Sequence, residues 1–212
     1  METPSEKNTR CFHKFSFFDT DFPFHIRREI DLPEDYNESM RFRREFWKII
    51  YILEGFGEKL INEQRYPIQP GSIFLIHPED ITTFSIRSKH LEIYNILFMP
   101  ELVTDGLSEL RDDFDFFSIM NWHPGNSERP RERLYVTESD MEIRRIVRTM
   151  EREFNKMPQN YRSRLKLLLL ELLIILARKG NQTARRQTPD QVVDYIDHLI
   201  EKHFAEDFRL DA

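Results

Sequence analysis

The sequence predicts an α+β protein in which a β-barrel over residues 1–136 is followed by linking helices. Two observations carry that expectation. Between Phe46 and Phe98 the chain runs as short apolar stretches rich in β-branched and aromatic residues, with turn residues about every eight to twelve positions. Beyond Pro124 the apolar spacing changes to the helical period. Charge is spread evenly, with 13 basic and 16 acidic residues up to Pro100, leaving 18 and 21 for the rest.

Taken in order, the first residues hold six irregularly spaced phenylalanines, Phe12, Phe15, Phe17, Phe18, Phe22 and Phe24, expected to supply the first strands. Charges alternate with these rings, so Met1 to Phe18 lacks the continuous apolar core of a signal peptide. Phe46 to Leu53 is a strand of side chains that suit a pleated surface, broken by Gly55 and Gly57. A short strand from Glu58 to Ile61 turns through Asn62, Glu63 and Gln64 into Arg65–Ile68. Pro70-Gly71 is a tight-turn dipeptide, because Pro presets φ and Gly tolerates the left-handed region. Ser72–His77, Thr82–Ile86 and Leu91–Phe98 complete the strands.

Thr137 and Asp140 have capping-box spacing and predict a helix start, behind which Ile143, Ile146, Val147, Met150 and Phe154 form one stripe. A second helix is expected from Tyr161 to Lys179. It is apolar almost all round between Leu167 and Ala177, so more than one of its faces must be covered. Two readings stand: a core helix packed on the barrel, or a helix shared with a second subunit. Gly180 to Gln187 is polar and reads as a linker. Thr188-Pro189-Asp190-Gln191 is a strong helix start, and Val192, Ile196, Leu199, Ile200 and Phe204 form its stripe. Residues 188–212 therefore read as the first element of a further domain cut short.

Several function classes recede on composition. The formal net charge is -6, and no segment has the basic excess of a surface that neutralises many phosphates. Arg129, Arg131 and Arg133 alternate in a Pro-containing loop and read as solvated. The single cysteine, Cys11, excludes an internal disulfide and suits a reducing compartment. The apolar run Leu167–Ala177 is interrupted by Glu171 and falls short of the roughly 20 residues that span a bilayer. A cytoplasmic protein is expected. Neither a nucleophile turn nor a Gly-rich phosphate loop is present, since Ser72 lacks the flanking glycines.

The run Trp47 to Gly57, then Tyr66, Ile68, Pro70 and Gly71, then Phe74 to Ile76 with Pro78, and Ile96 with Phe98, resembles the N-terminal ligand-binding domain of AraC-family transcription regulators. Val193, Tyr195 and Ile196 through Phe204, Phe208 and Leu210 look like the opening helix of that family's DNA-binding domain. The resemblance implies a cupin-type barrel, a double-stranded β-helix or jelly roll, binding a small effector that is often a sugar. It implies a helical segment over 137–180 that makes a homodimer, here through Leu165, Leu169, Leu172, Leu173 and Leu176. DNA would be gripped by helix-turn-helix motifs beyond this chain. It also implies an N-terminal arm able to fold over the pocket.

Many cupins hold a metal on inward-facing histidines and a carboxylate. Counting back from Gly55, the matching positions are Phe42, Arg44 and Lys48, and the later one falls near Thr82. Two of these are cations, and His77 alone is not a site. No metal or other cofactor is expected, and no enzyme.

Arg44 and Lys48 differ by four, so on a strand they share a face. Three readings are open. The cations could pair with an internal carboxylate such as Glu92. They could bind a carboxylate- or phosphate-bearing effector, with Arg44 as a bidentate fork. They could instead hydrogen-bond sugar hydroxyls while Phe46 or Tyr94 stacks on the ring. Alternatives to the sensor are a small cupin enzyme, an isomerase or dioxygenase, and a ligand-free interaction domain.

Overall fold

A computed structural model describes residues 9–19, 21–36, 39–62, 64–103, 135–137 and 141–184. Among these residues ten strands form two five-stranded sheets. In chain order the strands are β1 (Thr9–Phe12), β2 (Phe24–Asp31), β3 (Arg41–Arg44), β4 (Trp47–Glu54), β5 (Gly57–Ile61), β6 (Gln64–Ile68), β7 (Ser72–Ile76), β8 (Thr82–Ile86), β9 (Leu91–Phe98) and β10 (Tyr135–Thr137). One sheet has the order β1-β3-β8-β5-β6 and the other β10-β7-β4-β9-β2. All neighbours are antiparallel except β1 and β3, which run parallel. Two helices follow, α1 (Glu142–Lys156) and α2 (Tyr161–Ala184).

The second sheet is buried on both faces, which explains the near-continuous apolar character of β4 and β9. Alternation sorts their side chains. Trp47, Ile49, Tyr51, Tyr94, Ile96 and Phe98 face the helices, in one core with Ile143, Ile146, Val147 and Met150 of α1. Ile50, Ile52, Leu91 and Ile93 face the first sheet, where they meet Ile61, Ile68 and Phe84. That inner cluster holds the two sheets together as a barrel.

The glycine breaks have a steric cause. Gly55 lies at φ +100°, and a Cβ there would come within 2.5 Å of the His90 carbonyl oxygen. A Cβ on Gly57 would come within 2.2 Å of the Ser85 carbonyl oxygen, so both positions exclude side chains. At the turn after β6, Gly71 takes φ 87° behind Pro70.

Three expectations are corrected at the helices. Thr137 is the last residue of β10, paired with Ser72, and α1 begins after Met141 at φ 65° with no side-chain cap; a strand that must pair with β7 has claimed the expected cap. The second helix runs on through Gly180 to Ala184, beyond Lys179 and into the expected linker. The five leucines assigned to a dimer seam lie inside this chain's own core: Leu165, Leu169, Leu172 and Leu176 are 0% exposed and Leu173 is 2%. Each contributes roughly 1.5–3 kcal/mol by burial against the sheet and α1. Of the two readings of this helix, the core helix describes these side chains. Leu167, 62% exposed, is on the outward face. The expected helix over 188–212 and its linker's end lie outside the described residues, as do Arg129, Arg131 and Arg133. No helix among the described residues is long and apolar enough to cross a membrane.

Candidate functional site

The barrel interior is not filled uniformly. Beside the aliphatic cluster lies a cavity of ≈ 120 Å³, lined by Phe12, Phe17, Arg27, Glu29, Asp31, Tyr36, Phe42, Arg44, Phe46, Lys48, Lys59, Thr82, Asn95 and Leu97. Strand alternation puts them there. Lys48 shares a face of β4 with Ile50 and Ile52, Lys59 shares one of β5 with Ile61, and Asn95 shares one of β9 with Ile93. On β2, Arg27, Glu29 and Asp31 turn inward while Phe24 and Ile26 turn to the helices.

The four positions matched to cupin metal ligands, Phe42, Arg44, Lys48 and Thr82, all line this cavity. Their chemistry is the reverse of a cation cage. Arg44 donates from Nη2 to Thr82 Oγ1 at 2.7 Å and to the Phe42 carbonyl at 3.4 Å. Its Nη1 is buried and has no hydrogen-bond partner among the described residues. A buried charged donor left so costs more than the roughly 1–3 kcal/mol of a neutral one. Among the described residues, no group of three or more His, Cys, Asp or Glu is placed to hold a metal.

Electrostatically the cavity is cation-rich. Lys59 is 3% exposed, and its Nζ sits 3.5 Å from the centroid of the Phe84 ring, a cation–π contact. Neither Lys48 nor Lys59 has a carboxylate within 4 Å among the described residues. Desolvation, reinforced by Arg44, pushes the Lys48 amine down to about 8. Desolvation and then the charges of Lys48 and Arg44 push Lys59 well below its ordinary value. Desolvation lowers Arg44 to about 10, although Asp80 opposes the shift.

The two carboxylates of the cavity are engaged elsewhere. Glu29 pairs with Arg27 and accepts from Asn95 Nδ2. Asp31 accepts a 2.8 Å hydrogen bond from the Tyr36 hydroxyl, whose pKa burial raises. Glu92, the partner expected for the cations, instead pairs with Arg28 on the outer face of the sheet. Sequence reasoning missed Lys59, Glu29, Asp31 and Asn95.

Of the five expected ligand residues, Arg44, Phe46, Lys48 and Thr82 come together and Tyr94 does not. Tyr94 occupies the helix-facing side of β9, and its hydroxyl donates to Glu151 on α1. Burial, then that carboxylate, pushes the phenol up to about 12. The aromatic wall is supplied by the N-terminal segment. Phe12 stacks on Phe42 at 5.6 Å between centroids, and Phe17 meets Phe46 edge-on at 5.3 Å. Glu45 latches this segment, receiving the Lys14 backbone N–H at 3.1 Å and pairing with His13 at 3.0 Å. Phe22 and Phe24 belong to the other core, against Tyr161 and Phe154.

A second depression, on the outward face of α1, is bordered by Arg144, Arg145, Arg148 and Arg152 and lies open to solvent. The barrel cavity is the less open of the two, and it is the candidate site.

The family described as AraC-like ligand binding domain matches residues 34–173 of the chain. No curated protein matches it. Solved structures similar to it include ToxT from Vibrio cholerae, at TM-score 0.49 and 14% identity over 74% of this chain and 57% of that one. Another is ToxT from Vibrio cholerae O395 bound to (E)-4-(8-methylnaphthalen-1-yl)but-3-enoic acid, at TM-score 0.49 and 13% identity over 74% and 58%. A cupin protein from Bacteroides fragilis is similar at TM-score 0.32 and 19% identity over 36% and 66%. The chain spans less than two thirds of the length of each of these three.

Proposed function

The chain belongs to the AraC-like ligand-binding domain family, and from that premise we propose that it is the effector-sensing part of a transcription regulator whose barrel takes a small anionic molecule. The observation that carries the choice of anion is the cavity's unmatched cations: Arg44, Lys48 and Lys59 converge on it, while Glu29 and Asp31 have other partners. A neutral sugar would leave those charges uncompensated, two of them on the buried side chains Arg44 and Lys59, whereas an anion supplies a counter-charge. The aromatic wall of Phe12, Phe17, Phe42 and Phe46 gives the ligand's carbon frame an apolar surface. The protein so described is cytoplasmic and is not an enzyme.

Thermal denaturation of the protein with panels of small carboxylates, phosphates and neutral sugars tests this reading. A ligand at 100 times its Kd contributes about 2.7 kcal/mol, which raises Tm by several degrees in a domain of this size. Stabilisation by anions and not by sugars is expected, and Lys48→Met should abolish it. Stabilisation by sugars alone would overturn the anion reading, and no stabilisation by any small molecule would favour a ligand-free interaction domain.

Signalling in this proposal runs through the helices to a helix-turn-helix domain that opens with the helix expected over residues 188–212. Homodimerisation would use the outward face of α2 around Leu167, because the leucines first expected there are internal. Leu167→Arg should then give a monomer by light scattering with an unchanged Tm. A dimer that survives the change moves the contact to another surface.

A further inference from the structure

Resting on the reading of the barrel as an anion site, we infer that its ligand is a small dianion, a short dicarboxylate or a phosphate monoester of a small alcohol. The first support is charge balance. Among the described residues four basic side chains line the cavity, Arg27, Arg44, Lys48 and Lys59, against two carboxylates, Glu29 and Asp31, an excess of two positive charges when all are ionised. A monoanion would leave one of them buried and unbalanced, and a trianion would reverse the sign. In a medium of low polarity either residue of charge is penalised.

The second support is where the excess sits. Arg27 pairs with Glu29 and is half exposed, so it belongs to the rim. The remaining three cations come from three separate strands, β3, β4 and β5, and so approach the cavity from different positions on its wall. Lys48 and Lys59 make no hydrogen bond or ion pair with a described residue, and Arg44 Nη1 has no acceptor. Separate donors on separate strands suit two anionic groups, or one phosphoryl group with several oxygens, better than a single carboxylate with two.

The third support is size. The cavity measures ≈ 120 Å³. A space of that size suits a small ligand. Phe42, Phe46 and Leu97 leave a short apolar stretch for the atoms that join the two charges.

The test is titration calorimetry on the protein as it stands, at pH 7 and constant ionic strength. The probes are malonate, succinate, glutarate and inorganic phosphate, each against butyrate or acetate as the monoanion. At least one dianion should bind ten-fold or more tightly than the monoanions. Dicarboxylates and phosphate compete for the same class, and whichever is tighter names the source. Lys59→Met should bring dianion and monoanion affinities to within about two-fold while monoanion binding persists. Monoanions binding the unmodified protein as tightly as dianions would overturn the dianion and leave the anion site standing. A ten-fold dianion preference kept by Lys59→Met would overturn the role given to Lys59 and the charge count with it. If no anion binds at all, both this inference and the reading beneath it fall.

Discussion

The two halves of the barrel interior are built from the same strands and differ in almost every physical respect. β4 gives Ile50 and Ile52 to one half and Lys48 to the other, β5 gives Ile61 and Lys59, and β9 gives Ile93 and Asn95. The aliphatic half is packed with apolar side chains. The charged half leaves Arg44 Nη1 and Asn95 Oδ1 without partners among the described residues, around an open volume. Two residues along a strand separate a region built for stability from one that opposes it. A fold that retains the second half does so for something other than folding, and this contrast can be broken from either side.

The largest effect should come from placing a cation in the aliphatic half. Ile52 is 0% exposed, so Ile52→Lys buries an unpaired ammonium where nothing can receive it. A loss of about 4 kcal/mol or more is expected, a large part of the 5–15 kcal/mol that holds a typical domain. Urea unfolding reads it, and a loss below about 1 kcal/mol would show that the two halves are not distinct. The reverse change, Lys59→Met, should stabilise the ligand-free protein by about 1–3 kcal/mol, because a buried charge gives way to an apolar chain of similar length. A destabilised Lys59→Met would mean that the Phe84 contact outweighs the desolvation of the ammonium.

Much of this contrast was legible beforehand. The strand runs, the glycine breaks and the four cavity positions Phe42, Arg44, Lys48 and Thr82 follow from local pattern, because alternation and turn chemistry are local. Tyr94 was misplaced because a sheet covered on both faces shows no apolar alternation, so nothing nearby marks which side of β9 is inside. Lys59 was missed because a lysine beside Glu58 in a short strand reads as solvent-facing until its pairing with β8 is known. Glu29 and Asp31 were missed for the same reason, since Arg27, Arg28, Glu29 and Asp31 read as an exposed edge. The leucines of α2 show the limit from the other side: an all-round apolar helix signals that it is covered, and not by what.

Next in size is a dependence on pH with opposite signs in the free and bound protein. Lys48 is pushed down to about 8 in the folded state from 10.5, with Lys59 lowered further. Between pH 8 and 10.5 the unfolded chain therefore binds more protons than the folded one, so stability rises with pH across that window. The ligand-free Tm should climb by a few degrees from pH 7 to 10. Affinity for an anion should fall over the same range as the amines lose their charge. A Tm that stays flat, or falls in step with affinity, would mean that the lysines are solvated and ordinary.

The smallest effect belongs to the residue that looked like a ligand contact and is not one. Tyr94 stands one position from Asn95 on β9, yet its hydroxyl reaches Glu151 across the helix interface. Tyr94→Phe keeps the ring and its packing and removes one hydrogen bond, so the expected loss is about 0.5–1.5 kcal/mol. Anion affinity should stay within about two-fold of the unmodified protein, because the sheet itself separates the change from the cavity. Asn95→Ala, one residue along and on the other face, should instead weaken anion binding by freeing Glu29 to compete for the cations. If Tyr94→Phe moved affinity as much as Asn95→Ala, the two faces of β9 would be coupled, and the helix interface would itself respond to what the barrel holds.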